Sequence, residues 1–560
     1  MNRRALLTRP LAAMREDRVS GIERSTRDQK VMRGGLDPYT GTWGREQAAH
    51  LLRRCMFGPK ATEIETAIQD GLSATVQKLL TAAPAATPPV NYGNQNDPDI
   101  AIGQTWVNAN NNVGVNASRR NSLFAWWTGQ MIHQNVSLTE QMALFWHNHF
   151  ATELSVYNDA RFGYKYLSTL RDNSLGNFKD LVEEMTTDVA MLRYLNGDQN
   201  RVGRANENYA RELFELFTIG KGPQIGPGNY TNYTEDDVLE AAKVLTGWVI
   251  TGARHGDTNP IQPTFTASRH DTTTKQFSAA FGNKTISDNG DQEFKDLINM
   301  IFEQDETARY IIRKLYRWFV YYNIDSQVET DVILPLAQIL IDNNYDIAPV
   351  LETLLKSEHF FDVNSYGCLI KNPINFSIGL VRQLEAQFPD PTANVAEAYN
   401  LWLLMGQTAA VQLMAPLQPP SVAGWPAYYQ TPQYHESWIT SATLSFRKDM
   451  VGAAASNVIQ VRTVKAEIDL LALLQHVSDP NDPNIVIEEL GLLFCPMPMD
   501  AAQRTCLKAA LLFGLPDFTW NNEYNDYLLD PTDQAKKTAV LTKLTSLIYT
   551  MLNLPEFHLS

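Results

Sequence analysis

The sequence predicts an all-α fold: a large multi-helical domain with one small β-hairpin or extended-loop excursion near residues 250–290. Three observations carry that reading. Apolar residues recur at helical spacing through most of the chain after about residue 45. Helix starts and stops punctuate those runs at intervals typical of globular helices. Only the stretch "PTFTASRHDTTTKQFSAAFGNKTI" (263–286) trades that spacing for Thr, Phe and Gly with weak alternation.

Taken in order, residues 1–42 are basic, polar and glycine-bearing. They read as an N-terminal tail or arm, packed loosely if at all. The remainder, 43–560, reads as one large helical domain. "REQAAHLLRRCMF" opens the first helix at Arg45, and Gly58-Pro59 stops it; a second runs from about Ala61 to Thr81. Residues 82–117 are rich in Ala, Pro and Asn and read as a long surface insertion. "SLTEQMALFWHNHF" begins with Ser137 and has Glu140 three residues on, the pattern of a capping box. Further helices are expected at about 160–171, 176–196, 204–219 and 234–248. Thr234 caps the last of these, with acidic residues in its first turn, where the helix dipole favours them. After the irregular segment, helical spacing returns at 291–304, 307–323, 328–343, 347–357, 371–388 and 395–408. A proline-rich loop at 415–432 interrupts it, and helices resume at 437–456, 464–476, 499–513 and 532–552. No repeat of fixed period is present.

Composition excludes several function classes. The chain is 44% hydrophobic and 19% charged, with a net charge of -15 and an isoelectric point near 5.2. A chain this acidic lacks the clustered Lys and Arg that nucleic acid requires, and anionic membranes would repel it. No apolar run reaches the length of a membrane span. Its four cysteines, Cys55, Cys368, Cys495 and Cys506, form no C-x-x-C pair and read as free thiols. Arg3-Arg4 resembles a twin-arginine start, but Arg9, Pro10 and Arg15 break the apolar segment an export signal needs, so the reading leans to the cytoplasm. Nucleotide-binding loops, H-E-x-x-H and G-x-S-x-G are missing from the sequence.

The densest polar set is "ENYARELFEL" (207–216). On a helix, Glu207, Asn208, Arg211 and Glu215 share one side with Glu212 at its edge, while Ala210, Leu213, Phe214 and Phe217 take the other. An exposed face laced by Glu207–Arg211 and Arg211–Glu215 pairs is the plain reading; each such pair contributes about 0.2–0.5 kcal/mol. The sharper reading buries Glu207, Asn208 and Arg211 against neighbouring apolar helices, where carboxylates would need a cation. "FWHNHF" is the second candidate. His147 and His149 point about 200° apart on a helix, so one turn cannot chelate one ion with both. His149 falls on the apolar stripe as a core histidine; His147 falls on the side of Glu140, as a ligand or base if another segment supplies partners. "RHD" at Arg269–Asp271 lies in the irregular segment, either functional or fixed by Asx-type hydrogen bonds. In "PPSVAGWP" (419–426), Gly424 provides a permissive backbone and Trp425 an apolar anchor.

Seven segments in order then resemble a bacterial family known only as domain-of-unknown-function family 1800. They are "HLLRRCMFGP" (50–59), "FWHNHF" (145–150), "ENYARELFELFTIG" (207–220), "YTEDDVLEAAKVLTGW" (233–248), "HD" (270–271), "KNP" (371–373) and "PPSVAGWP" (419–426). The resemblance implies a mostly helical protein with no agreed activity. It also implies a family often exported and encoded beside a sulfatase-like partner protein. It raises the weight of the polar face at 207–212.

Two readings follow. In the first, the chain is an enzyme with an inter-helix pocket, in which Glu207, Arg211, Glu212, His147 and Asp271 are candidate catalytic groups. His147, Glu207, Glu212 and His270 are then candidate ligands of a divalent metal. In the second, it is a non-catalytic interaction or structural protein whose Glu–Arg cluster fixes helix packing. A weaker third reading treats the 22 Tyr and 11 Trp as carbohydrate-stacking platforms.

Overall fold

A computed structural model describes residues 34–254, 257 and 260–560. Among the described residues helices build the body and the strands occur only as short antiparallel pairs, so the all-α expectation is met. One apolar cluster runs from Ala48 to Phe557 and gathers residues from almost every helix. The excursion is two small hairpins: Trp248–Thr251 against Gln262–Phe265, and Lys275–Gln276 against Thr285–Ile286.

Several boundaries differ from expectation for identifiable reasons. Gly71, at φ +81°, separates Ala61–Asp70 from Leu72–Leu79. Asp188 accepts hydrogen bonds from the N–H groups of Ala190 and Met191, so it starts a new helix, Val189–Tyr194, where one continuous helix is expected. The capping box at Ser137 does not form. Glu140 instead takes Arg171 in a buried pair at 2.6 Å, and Ser137 Oγ donates to Thr81 O. The box at Thr234 does form, closed by Asp237. Between 464 and 476 only Leu470–Leu474 is helical, preceded by a further hairpin at 460–465. Helices Pro483–Phe494 and Asp517–Leu529 were not expected, although Asp482-Pro483 is a readable start signal.

Residues 82–115 hold no helix but are not a free surface loop. Trp106 is fully buried, and its indole N–H donates to Ser122 Oγ at 3.0 Å. Asp97 receives both arms of Arg119 at 3.0 Å. The described part of the tail is likewise attached. Pro38 bridges Ser357, Tyr39 N–H donates to Lys356 O, and Thr40 donates to Glu358. Residues 1–33, where the rest of the tail expectation falls, lie outside the described residues.

Two of the sequence motifs meet in this frame. Gly424 (φ +83°) packs so closely on Asn148 that a Cβ would collide with its backbone carbonyl oxygen. The next residue, Trp425, is buried and donates its backbone N–H to Asn148 Oδ1. The loop at 419–426 is thereby pinned to the helix Thr139–His149, as its composition suggests. All 11 tryptophans are at least partly buried, so no exposed indole supports the carbohydrate-platform reading.

Candidate functional site

The helix Glu207–Glu212 starts at Asn206, whose side chain accepts from Asn208 N–H, and continues as a π-helical turn, Leu213–Thr218. That wider turn shifts Glu215 off the face shared by Glu207 and Arg211. The expected Arg211–Glu215 pair is therefore not made; Glu215 meets Lys221 at 2.5 Å instead. Arg211 keeps Glu207 at 3.1 Å and grips Glu235 with two nitrogens at 2.7 and 2.6 Å. Glu235 is the first residue of the next motif helix, so the two motifs dock through this fork.

Burial of this face is not observed. The side chains of Arg211, Glu207 and Glu235 are 32%, 40% and 41% exposed, and Asn208 is exposed. The helix covers the core with Tyr209, Ala210, Leu213 and Phe214 and turns its charged side toward solvent, as amphipathicity alone requires. Glu212 is half-buried. Desolvation first, then the neighbouring Glu215, push its carboxyl up to about 7.

Glu207, Asn208 and Arg211 line an open cleft of about 740 Å³ together with Asp198, Arg201, Arg204 and Arg269. The structure thus brings the polar helix and the first residue of "RHD" to one surface. His147 does not join them. It is fully buried, bonded through Nδ1 to the Tyr166 hydroxyl at 2.7 Å, and burial pushes it down to about 3. At neutral pH it is an uncharged core imidazole between Trp127 and Trp425. His149 is also in the core. Its Nε2 donates to Phe217 O, and its Nδ1 accepts from Lys314. Asp271 accepts from the N–H and hydroxyl of Thr273, an Asx-type turn that fixes the loop.

The next residue back in the loop behaves differently. The segment folds so that His270 points inward while Arg269 faces the cleft. His270 Nδ1 lies 2.9 Å from Thr246 O, an acceptor only, so Nδ1 carries the proton. Nε2 faces Glu293 Oε2 at 2.8 Å and Asp288 Oδ1 at 3.6 Å. Among the described residues these three form the one group of His, Cys, Asp or Glu that could hold a metal ion, with ligand atoms within 4.8 Å of one another. His147, Glu207 and Glu212 are not part of it, so of the candidate ligands read from the sequence only His270 is retained. Glu293 opens the helix Glu293–Phe302 and is fully buried, as is Lys275, whose Nζ lies 2.6 Å from Glu293 Oε1. Asp288 is exposed and borders a groove of about 420 Å³ with Lys284, Asn289, Asp296 and Glu303.

Sequence reasoning missed Glu293, Asp288 and Lys275. Each is an ordinary residue of a loop, a short strand or a helix start, and only the return of the hairpins onto the helix Glu293–Phe302 brings them to His270.

The fold and site define a large, mainly helical protein with an arginine-lined cleft beside a buried histidine–carboxylate cluster. The family model DUF1800, described as a protein of unknown function, matches residues 50–559. The chain belongs to that family. No curated protein and no solved structure matches it.

Proposed function

We propose that this DUF1800 protein is a metal-dependent enzyme whose divalent ion is held by His270 Nε2, Glu293 and Asp288. The observation that carries the reading is the convergence of three potential ligand atoms, His270 Nε2, Glu293 Oε2 and Asp288 Oδ1, on a histidine fixed from behind by the Thr246 carbonyl. Metal-binding histidines are oriented by such an acceptor at the far nitrogen. Three protein ligands leave coordination positions free, which is the arrangement of catalytic centres, and the exposed Asp288 opens the ion to the adjoining groove. An ion there would polarise a bound oxygen or lower the pKa of a bound water. Lys275 would orient Glu293 through its second oxygen.

One observation favours a second reading. Lys275 already offers Glu293 a cation at 2.6 Å, and a proton on His270 would complete a structural His–Glu–Lys network that clamps the hairpins to the helix. Metal content of tag-free protein separates the two. The enzyme reading expects a stoichiometric transition metal that is lost in Asp288→Asn, a change at an exposed side chain that leaves the fold intact. Metal-free protein whose melting temperature ignores both chelator and added metal would leave the network reading. The sulfatase-like partner rests on the family resemblance and is tested by co-purification of the two proteins when produced together. No described helix is long and apolar enough to cross a membrane.

A further inference from the structure

A cavity of about 50 Å³ lies where the helices Arg45–Cys55, Thr139–His149 and Asp305–Phe319 meet the segments 369–375 and 427–438. That is several times the roughly 10–15 Å³ one water requires. Its walls carry Arg53, Arg54, Arg317 and Lys371, and no aspartate or glutamate side chain. Arg53, Arg54 and Lys371 are only 3%, 5% and 5% exposed. Buried cations normally find a carboxylate or a full set of acceptors. These do not. Arg53 spends one terminal nitrogen on the carbonyls of Leu492, Leu493 and Cys495, and Arg54 bonds Val320 O, Ser365 O and Cys368 Sγ. The Nε atoms of both arginines and Nζ of Lys371 remain buried without a hydrogen-bond partner.

Among the described residues Lys371 makes no ion pair. Its ammonium sits 4.2 Å from the centre of the Phe557 ring, and Arg447 donates to its backbone carbonyl. Burial first, then Arg53 and Arg447, push its amine well below the ordinary lysine value. The Tyr428 hydroxyl, another group of the wall, accepts from Asn372 Nδ2 at 3.0 Å, which leaves its own O–H to donate. Two motifs contribute, Arg53 and Arg54 from "HLLRRCMFGP" and Lys371 and Asn372 from "KNP", and Tyr428 lies two residues beyond "PPSVAGWP". None of these residues belongs to the His270 cluster or the cleft.

We propose that this cavity binds a small oxyanion, a carboxylate, sulfate or phosphate group, through Arg53, Arg54, Lys371 and Tyr428. Charge-assisted hydrogen bonds to an oxyanion would satisfy the three orphaned nitrogens and neutralise a buried excess of positive charge. The group is either a free anion or the charged end of a larger molecule whose remainder meets the aromatic walls at Trp318 and Tyr434.

The test is calorimetric titration of the full chain with sulfate, phosphate and acetate, and separately with phenyl phosphate and benzoate, against chloride at matched ionic strength. Calorimetry is needed because sulfate and phosphate raise melting temperatures non-specifically. At least one oxyanion should bind saturably, with tighter binding of the aryl compounds identifying the larger-molecule source. Lys371→Met should weaken that binding by about tenfold or more, and Tyr428→Phe by a smaller factor. Lys371→Met removes a buried amine that has no hydrogen-bond partner, so it should melt no lower than wild type in anion-free buffer. If it does not fold, Tyr428→Phe decides. The proposal is overturned by wild-type protein that binds no oxyanion. Binding that both variants leave unchanged overturns it equally.

Discussion

Arg211 is held by a fork to Glu235 and a single contact to Glu207, with about a third of its side chain still in water. Exposed pairs of this kind contribute little, because water already solvates both ions. Arg211→Ala is therefore expected to cost about 0.5–1 kcal/mol in urea melts at low salt, and less at high salt. A loss of several kcal/mol would show a desolvated network instead. Glu212, one residue on, makes the opposite kind of contribution. Its folded carboxyl sits near 7, while an unfolded glutamate titrates near about 4.3. Between those values the folded chain holds a proton that the unfolded chain has lost, so stability falls as pH rises through the window and levels off above it. Glu212→Gln should flatten that slope and melt higher than wild type at pH 8. Equal slopes in the two proteins would place the proton elsewhere.

Elements here are fixed by single ion pairs as much as by their own helix signals. The segment 82–115 carries the composition of a linker, and nothing in its Ala, Pro and Asn content marks Asp97. Yet Asp97 and Arg119 are each 1% exposed at the side chain and bonded through both oxygens. Burial pushes the Asp97 carboxyl up, but Arg119 and the N–H groups of Asp99 and Ile100 outweigh it and hold the group below the ordinary aspartate value. Its stabilisation is thus complete above about pH 4 and lost as pH falls through the lowered folded value. Asp97→Asn should cost about 3–5 kcal/mol, the usual effect of stranding a buried partner. The first sign should be proteolysis within 82–115 at neutral pH, before any loss of helical circular dichroism. Uncut protein would mean that Trp106 holds the segment without the pair.

Across the whole molecule, Arg382 joins parts of the chain far apart in sequence. From the helix Pro373–Gln383 it donates to Gly58 O, Ile132 O and both oxygens of Glu63, at 2.7 to 3.0 Å, with its side chain 1% exposed. Gly58, at φ +76°, lies against Gly379 so tightly that a Cβ would come within 2.7 Å of its Cα. Arg382→Met should lower stability by about 3–5 kcal/mol. If the chain unfolds as one cooperative unit, the far-ultraviolet and tryptophan signals should fall together in a single melt. Separate transitions would show that the two ends of the chain unfold independently.

The sequence alone determined the mainly helical fold, most helix starts, a break in helical spacing near 250–290 and the amphipathic face of residues 207–217, because periodicity and capping are local properties. Gly58, Gly424 and Trp425 were legible for the same reason: a backbone or anchoring requirement is written at the residue that meets it. Which polar groups are dry was decided by the tertiary structure. Glu207 and Arg211 look like a site and lie half in water, whereas Glu293, Lys275 and Lys371 look ordinary and are buried. Burial of a charge depends on what the rest of the chain lays over it. His270 finds Glu293 across 23 residues, and Arg53 shares a cavity wall with Lys371 across more than 300. No pattern along the sequence records distances of that kind, because they are set by how helices pack on one another and not by the helices themselves.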